Sequence, residues 1–214
     1  MVNTQNYSIL HDKDRKLCFV GQTKYNDMLY KYWQQRRPSV RVTVEELLQK
    51  DQQWADQHQF ICAVSNVGFK YFVIEQLKKF NPHYFSVLGV GNMFSQITIG
   101  NGTFIQNYNT AICDNINIGD HCTVGSYINL SHETNISNYC HISAYSFMNY
   151  CDIGEGNLFA IRSTVIGDPT SPINIVPKCN FMLGSIVTKD VPTAGTYFGN
   201  KLVGAGTSVD YKLL

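Results

Sequence analysis

The chain has 214 residues, and its 17 Lys and Arg nearly balance its 16 Asp and Glu. Without a basic excess or a long basic run, nucleic acid is not an expected partner. No apolar stretch reaches the roughly 18 residues of a membrane span, and the polar first residues lack the apolar core of a signal peptide, which favours a cytoplasmic protein. The seven cysteines show no Cys-x-x-Cys spacing, so neither a disulfide framework nor a zinc cluster is expected.

Residues 1–88 predict a small α/β domain, because apolar strand-like segments alternate with segments of helical periodicity. The helix after Thr43 has a clear start signal, since Thr is a favoured N-cap and two glutamates lie in the first turn. The predicted strands span 16–21, 60–65 and 84–88, and the other predicted helices span 26–35 and 67–80.

Parallel α/β sheets bind ligands beyond the carboxyl ends of their strands. Gly21 and Asn66 follow the first two predicted strands and are therefore candidate substrate-binding residues. The segment after the first strand, GQTKYND, has a single glycine and no Gly-x-Gly-x-x-Gly. Two interpretations stay open: a domain that binds a nucleotide-linked ligand, and a domain that only orients the rest of the chain.

From residue 99 onward, an aliphatic or aromatic residue recurs at nearly every sixth position. This period belongs neither to an α-helix nor to an isolated strand, and it is typical of a parallel β-helix whose coils of about 18 residues each contain three hexapeptides. Residues 89–214 therefore predict an all-β domain. The anchors are Ile99, Ile105, Ile112, Ile118, Val124, Leu130, Ile136, Ile142, Met148, Ile153, Phe159, Val165, Ile175, Phe181 and Val187.

Small residues four places after many anchors are expected to share the narrow interior of the coil. Three cysteines occupy such positions, where Cys acts as a compact apolar residue. Two irregularities interrupt the period: the step from Met148 to Ile153 is one residue short, and residues 167–174 form an insertion. The small positions are Thr103, Cys122, Thr134, Cys140, Ser146, Ser163, Cys179 and Ser185.

His132 is two places after the anchor Leu130. Side chains at that position of the repeat do not face the interior, so His132 is expected on the outer surface near a corner. Residues 18 apart lie above one another, which puts Asp114 one coil below His132 and Tyr150 one coil above it. A carboxylate beside the imidazole would fix its tautomer and raise its basicity. Asp114 and the adjacent Glu133 both qualify, and the sequence does not choose between them.

A small α/β domain followed by hexapeptide repeats resembles the sugar O- and N-acyltransferases of the NeuD/PglD type. His132-Glu133 matches the catalytic His-acid pair of that family, and His141 matches its second histidine. The segment 183–202, LGSIVTKDVPTAGTYFGNKL, resembles the closing segment of the family. The resemblance implies a left-handed β-helix, a homotrimer, and acetyl-CoA bound as acyl donor between neighbouring β-helices, without a metal.

The resemblance also implies direct transfer of an acetyl group to a sugar amine or hydroxyl in surface-glycan biosynthesis. His132 would act as general base, oriented by Glu133 or Asp114, and a backbone N–H of the 148–151 corner would stabilise the oxyanion. The implied donor-binding residues are His141, Asn149, Tyr150, Ile161 and Gly184, and Asp114 joins Gly21 and Asn66 as substrate-binding.

The chain departs from the family pattern at several positions. Tyr150 stands in a shortened corner where the family has glycines, Gly125 stands where the family often has Asn, and Gly199-Asn200-Lys201 lacks the proline of the closing segment. With the missing glycine-rich loop, these changes leave open a different sugar acceptor.

Two other classes of function compete with acyl transfer. The altered corner favours a non-catalytic β-helix scaffold or regulatory protein, against which the intact His132-Glu133 pair argues. A metal enzyme of the γ-carbonic-anhydrase type would need three converging histidines, but the spacing of His121, His132 and His141 does not match that family.

Overall fold

The computed structural model describes residues 8–10, 12–111 and 113–209. Its first part is an α/β domain with a four-stranded parallel sheet, in which the strands lie in the order Ser39–Val42, Lys16–Val20, His58–Ile61 and His83–Tyr84. Helices connect these strands, as the alternating pattern predicts. The elements are β2 (Lys16–Val20), α1 (Lys24–Trp33), β3 (Ser39–Val42), α2 (Val44–Leu48), α3 (Gln52–Asp56), β4 (His58–Ile61), α4 (Val67–Lys78) and β5 (His83–Tyr84).

Side-chain caps fix where the helices of this domain begin. Thr43 and Glu46 form a capping box at α2, which confirms the predicted helix start. The Thr23 hydroxyl accepts a hydrogen bond from the Asn26 N–H at 3.2 Å, and the Asn66 side chain accepts one from the Phe69 N–H at 2.8 Å. These bonds satisfy backbone donors that have no partner inside the helix.

The predicted strand at 84–88 is two strands, because the chain passes from one sheet to another within it. Tyr84 ends the α/β sheet in β5, whereas Ser86–Leu88 forms β6 and pairs with the β-helix. Phe85 between them is fully buried. Four of the five residues of this segment are apolar, which suits either sheet, so the pattern alone did not reveal the change. Strand β3 and helix α3 were not predicted either.

The second part is a parallel β-helix with three sheets, called sheets I, II and III in the order in which the chain visits them. Sheet I contains β6 (Ser86–Leu88), β9 (Phe104–Ile105), β12 (Thr123–Val124), β15 (His141–Ile142), β18 (Leu158–Phe159), β21 (Asn180–Phe181) and β23 (Thr196–Phe198), flanked by the antiparallel strands β1 (Ser8–Leu10) and β24 (Lys201–Gly204).

Sheets II and III complete each coil. Sheet II contains β7 (Met93–Phe94), β10 (Thr110–Ala111), β13 (Asn129–Leu130), β16 (Phe147–Asn149), β19 (Thr164–Ile166) and β22 (Ile186–Val187). Sheet III contains β8 (Ile97–Ile99), β11 (Ile116–Ile118), β14 (Thr134–Ile136), β17 (Cys151–Ile153) and β20 (Ile173–Ile175).

The interior of the β-helix is filled as the six-residue period predicts. The anchors from Ile105 to Val187 are buried, except that Ile112 lies outside the described residues, and Ile99 is partly buried in the first coil. All eight small positions are buried as well. This alternation of large and small side chains matches the narrow section of the coil.

Corners of the β-helix adopt left-handed backbone conformations even where the residue is not glycine. The φ angle is 44° at Glu133 and 43° at Tyr150 in the corner between sheets II and III. It is 57° at Tyr127 and 60° at Tyr145 between sheets I and II, and 56° at His121 between sheets III and I. Since this conformation costs about 1–2 kcal/mol for a non-glycine residue, the surrounding hydrogen bonds must enforce it.

The α/β domain is bound to the outer face of sheet I through a buried polar contact. Lys70 of α4 is fully buried, and its Nζ donates to the Thr123 hydroxyl at 3.0 Å. That hydroxyl donates to the Val64 carbonyl at 3.0 Å. Among the described residues no carboxylate forms an ion pair with Lys70, and burial lowers the pKa of its ammonium group.

We predict that Lys70→Met stabilises the protein by about 1 kcal/mol or more, because it removes a desolvated cation and keeps most of the buried volume. Chemical denaturation measures the change, and Lys78→Met on the exposed surface of the same helix is the control, with an expected change near zero. A clear loss of stability in Lys70→Met would mean that the bond to Thr123 outweighs the desolvation.

Candidate active site

His132 lies in the turn between β13 and β14, at the corner between sheets II and III, and its side chain is exposed. The next residue, Glu133, continues the corner, and its N–H donates to the Asp114 carbonyl one coil below at 3.1 Å. The phase of the repeat predicted this outer position for His132 and the proximity of Asp114. An exposed imidazole at a corner can reach a small molecule without any rearrangement of the coil.

The structure assigns no carboxylate to the imidazole of His132. Within the described chain, neither Asp114 nor Glu133 forms an ion pair or hydrogen bond with the ring. Its contact is aromatic: the ring of Tyr150 is stacked on it, with centroids 5.5 Å apart and planes 15° from parallel. The choice between the two acids therefore stays open, and Tyr150 is the neighbour that the geometry identifies.

The corner that carries Tyr150 is shorter than the corner below it. Met148 pairs with Leu130, eighteen residues earlier, whereas Cys151 pairs with Thr134, seventeen residues earlier. The N–H of Tyr150 donates to the His132 carbonyl at 2.8 Å. This N–H is therefore engaged in coil stacking, and the expectation of a free backbone donor at the 148–151 corner does not hold at Tyr150.

Asn149, the other residue of the short corner, has an incompletely satisfied side chain. Its Nδ2 donates to the Gly167 carbonyl at 3.3 Å, and its Oδ1 is buried without a hydrogen-bond partner among the described residues. Gly167 opens the insertion at 167–174, and the N–H of Ile173 near its end donates to the Tyr150 carbonyl at 3.0 Å. The insertion thus covers the short corner directly above Tyr150.

His141 has a different environment, on sheet I beneath the α/β domain. It is buried, its Nε2 lies 3.0 Å from the Ser143 hydroxyl, and its Nδ1 has no hydrogen-bond partner in the described part of the chain. Burial, with the nearby charge of Lys70 as a smaller cause, lowers the pKa of His141 to about 3. With Tyr25 and Ile161 it lines a small cavity of about 120 Å³ between the two domains.

One chain does not bring all the predicted donor-binding residues together. Asn149 and Tyr150 lie at the II–III corner beside His132, whereas His141 lies on sheet I and Ile161 at the edge of that sheet. Gly184, with φ of 71°, donates its N–H to the Ile161 carbonyl at 2.9 Å. In a triangular coil the II–III corner is opposite sheet I, so these two groups are on opposite sides of the β-helix.

Gly21 and Asn66 do lie together, in a cleft of about 530 Å³ at the carboxyl ends of the parallel strands. Gly21 has φ of 96°, a conformation that favours glycine, and Asn66 caps α4 at the opposite wall. A second hollow of about 370 Å³ shares Asn66 and is also lined by Tyr25. Since Tyr25 also lines the His141 cavity, this unpredicted residue connects the cleft to the β-helix.

The three histidines considered for a metal site lie at different places around the coil. His121 is at the III–I corner, where its ring lies between Tyr84 and Tyr139 at centroid distances of 4.4 and 5.2 Å. No cluster of three or more potential ligands (His, Cys, Asp or Glu) occurs among the described residues. In the same part of the chain, no helix has the length and apolar character needed to cross a bilayer.

The architecture, an α/β domain on a left-handed parallel β-helix, occurs in solved acetyltransferases. The acetyltransferase domain of PglB from Neisseria gonorrhoeae FA1090 aligns with a TM-score of 0.72 and 14% identity, over 89% of this chain and 99% of that one. The same domain in complex with acetyl coenzyme A gives 0.67 and 15%, over 89% and 99%. These likenesses confirm the predicted fold class.

A third similar structure is PerB from Caulobacter crescentus in complex with CoA and GDP-perosamine. It aligns with a TM-score of 0.64 and 13% identity, over 85% of this chain and 92% of that one. No family model matches the sequence, and no curated relative matches it either. This chain therefore shares its fold with these structures. The sequence identities are too low to assign residue roles in this chain from theirs.

We predict that the contribution of His121 and His141 to the free energy of unfolding is steady above about pH 6.5 and falls as the pH drops toward 4. Burial lowers the pKa of His121 to about 4 and that of His141 to about 3. Between those values and the unfolded value near 6.5, only the unfolded chain binds these protons, so acid favours unfolding. Urea unfolding at pH 7.5 and pH 5 measures the difference.

His141→Gln should reduce this pH dependence. Ser143→Ala removes the hydrogen-bond partner of His141 without removing a titrating group, and it should lower stability similarly at both pH values. If the stability of His141→Gln depended on pH as strongly as that of the parent protein, the lowered pKa of His141 would not be a cause of the pH dependence.

Proposed function

We propose that this protein transfers an acetyl group from acetyl-CoA to an amine or hydroxyl of a sugar, in the cytoplasm and within surface-glycan synthesis. The observation that carries the proposal is the exposed His132 on a fold whose solved examples include a domain with acetyl-CoA and an enzyme with CoA and GDP-perosamine. The likeness includes the α/β domain as well as the β-helix, since it covers 89% of the chain.

In this proposal His132 is the general base. The acceptor nitrogen or oxygen attacks the thioester carbonyl and forms a bond to its carbon while the imidazole takes the acceptor proton. The tetrahedral oxyanion then collapses, the carbon–sulfur bond breaks, and the proton held by His132 passes to the CoA sulfur. The acetyl group moves directly, without a covalent enzyme intermediate, and the same base serves an amine or a hydroxyl.

The developing oxyanion needs a hydrogen-bond donor. Because the Tyr150 N–H is bound to the His132 carbonyl, the Asn149 amide is the better candidate at this corner: its Nδ2 makes one long bond and retains a second hydrogen. Glu133 and Asp114 flank the corner as exposed carboxylates, and either would stabilise the imidazolium once it forms.

The distribution of the candidate residues supports a homotrimer. His132, Asn149 and Tyr150 are on the side of the coil opposite His141 and Ile161, so the two groups form one donor site only if they come from neighbouring chains. In a closed ring of three β-helices, each II–III corner can approach the sheet I side of the next chain. Acetyl-CoA would then lie between two chains.

The acceptor sugar would bind on the α/β side. Gly21 and Asn66 line the larger cleft, whose volume of about 530 Å³ lies in the range of small-molecule sites. The hollow beside Tyr25 leads from this cleft toward the β-helix. A nucleotide-linked sugar is long enough to occupy both hollows, with its nucleotide at the strand ends.

A second candidate is a non-catalytic scaffold derived from the same fold. The stacked ring of Tyr150 and the insertion above it favour this candidate, because both occupy space next to His132. Calorimetric titration of acetyl-CoA into the purified protein, with free CoA as comparison, separates the candidates. Binding of either ligand supports acyl transfer, and binding of neither supports the scaffold.

We predict that His132→Ala lowers acetyl transfer by at least about two orders of magnitude, the scale of general-base catalysis. The assay measures release of the CoA thiol with a panel of amino sugars, nucleotide-linked amino sugars and sialic-type sugars. His83→Ala, an exposed histidine in the α/β domain, is the matched control. Full turnover in His132→Ala with folding intact would remove the base assignment.

We predict a mass in solution of three times the 24.2 kDa of one chain, measured by light scattering coupled to size exclusion. Mixing subunits of His132→Ala with subunits of His141→Ala should restore part of the lost turnover, because some interfaces then combine two intact halves. A monomeric mass together with full activity would contradict the shared site.

A further inference from the structure

The stack between His132 and Tyr150 is built on a rigid backbone. Tyr150 makes backbone hydrogen bonds on both sides: its N–H donates to the His132 carbonyl at 2.8 Å, and its carbonyl accepts from the Ile173 N–H at 3.0 Å. Its φ of 43° leaves little freedom for a tyrosine, and the next residue, Cys151, is fully buried. The base of the Tyr150 side chain is therefore fixed relative to His132.

The missing residue in the 148–151 corner determines the register of Tyr150. The pairing of Thr134 with Cys151 aligns Tyr150 with Glu133 rather than with His132. The aromatic ring nevertheless lies against the His132 imidazole, 15° from parallel. The Tyr150 side chain thus extends to the neighbouring corner position and stacks on a histidine that is otherwise exposed.

Face-on stacking leaves both nitrogens of the imidazole available. Hydrogen bonds to histidine lie in the plane of the ring, whereas the Tyr150 contact is perpendicular to that plane. A carboxylate that oriented the ring would occupy one nitrogen, but no carboxylate does so among the described residues. An aromatic neighbour can restrict rotation of the ring and leave its proton-transfer edge open.

We infer that Tyr150 is a positioning residue for His132: its ring holds the imidazole in the orientation from which it accepts the proton of the acceptor. This inference rests on the proposed acetyl transfer. In this inference the aromatic ring of Tyr150, and not its hydroxyl, orients His132. The role therefore differs from that of a proton donor or of a hydrogen-bond donor to the oxyanion.

The test compares Tyr150→Phe with Tyr150→Leu. Tyr150→Phe keeps the stack, so kcat should stay within about twofold of the parent value. Tyr150→Leu keeps an apolar side chain at the donor site without an aromatic face, so kcat should fall about tenfold, a larger change than that in KM for acetyl-CoA, because the orientation of His132 is lost. Tyr108→Leu is the control, since Tyr108 is a corner tyrosine with a similar left-handed backbone, φ of 59°, and lies away from His132 at a corner between sheets I and II.

A spectroscopic measurement makes the inference testable apart from turnover. In protein labelled with ¹³C at the histidine ring, the His132 signal is identified by its loss in His132→Gln. A tyrosine ring stacked on it shifts the His132 ring protons upfield. Tyr150→Leu should move them downfield, Tyr150→Phe should leave them near their original position, and Tyr108→Leu should not affect them.

The outcomes separate this inference from the proposed function. An unchanged His132 signal in Tyr150→Leu overturns the positioning role, whatever the activity. Equal loss of kcat in Tyr150→Phe and Tyr150→Leu also overturns it, because the hydroxyl would then be the group required. Absence of turnover in the parent protein with every acceptor, alongside the expected shifts, removes acetyl transfer as the function and leaves the stack as a structural contact.

Discussion

Hydrogen bonds between successive coils are the constraint on which the rest of this structure depends. Each strand of one coil is bonded to the strand above it, so the displacement between coils is fixed to within one residue. A corner residue such as Glu133 or Tyr150 must then adopt a left-handed backbone, at a cost of about 1–2 kcal/mol. The N–H bonds that these residues make to Asp114 and His132, at about 1 kcal/mol each, together with the buried coil interior offset that cost.

The same constraint determines which side chains become neighbours on the outside of the helix. Corner residues form columns, and aromatic residues in those columns stack. Tyr127 lies between Tyr108 and Tyr145 at centroid distances of 5.3 and 5.2 Å, whereas Tyr150 lies against His132 although it is in register with Glu133. The contact at the candidate active site is therefore one position out of register and differs from the in-register stack of tyrosines.

Sequence periodicity was sufficient to predict which residues fill the interior of the β-helix and that His132 lies on its outer surface. An inward residue must be apolar or small because the coil is narrow, and this requirement is visible in a single sequence. The transition at Phe85 between two sheets was not visible, because both sheets accept the same apolar residues. The burial of Lys70 was equally hidden, since its neighbour Thr123 is more than 50 residues away.

The candidate site was only partly predictable for a related reason. The period of eighteen gives the phase of His132, the neighbourhood of Asp114 and, since nine residues are half a coil, the opposite side for His141, but it does not show that His141 is buried. The register from Leu130 to Met148 and from Thr134 to Cys151 was needed to relate Tyr150 to His132. Side-chain orientation at a corner depends on local backbone angles that a repeat pattern does not contain.

The residue missing between Met148 and Cys151 has a consequence for how such a protein can change. Strands on either side keep their pairing, with Met148 next to Leu130 and Ile153 next to Ile136. The length of a corner can thus vary while the scaffold stays the same. A deletion there changes which side chains the surface presents and leaves the strands in place. Corners are the places where this architecture can acquire new specificity without refolding.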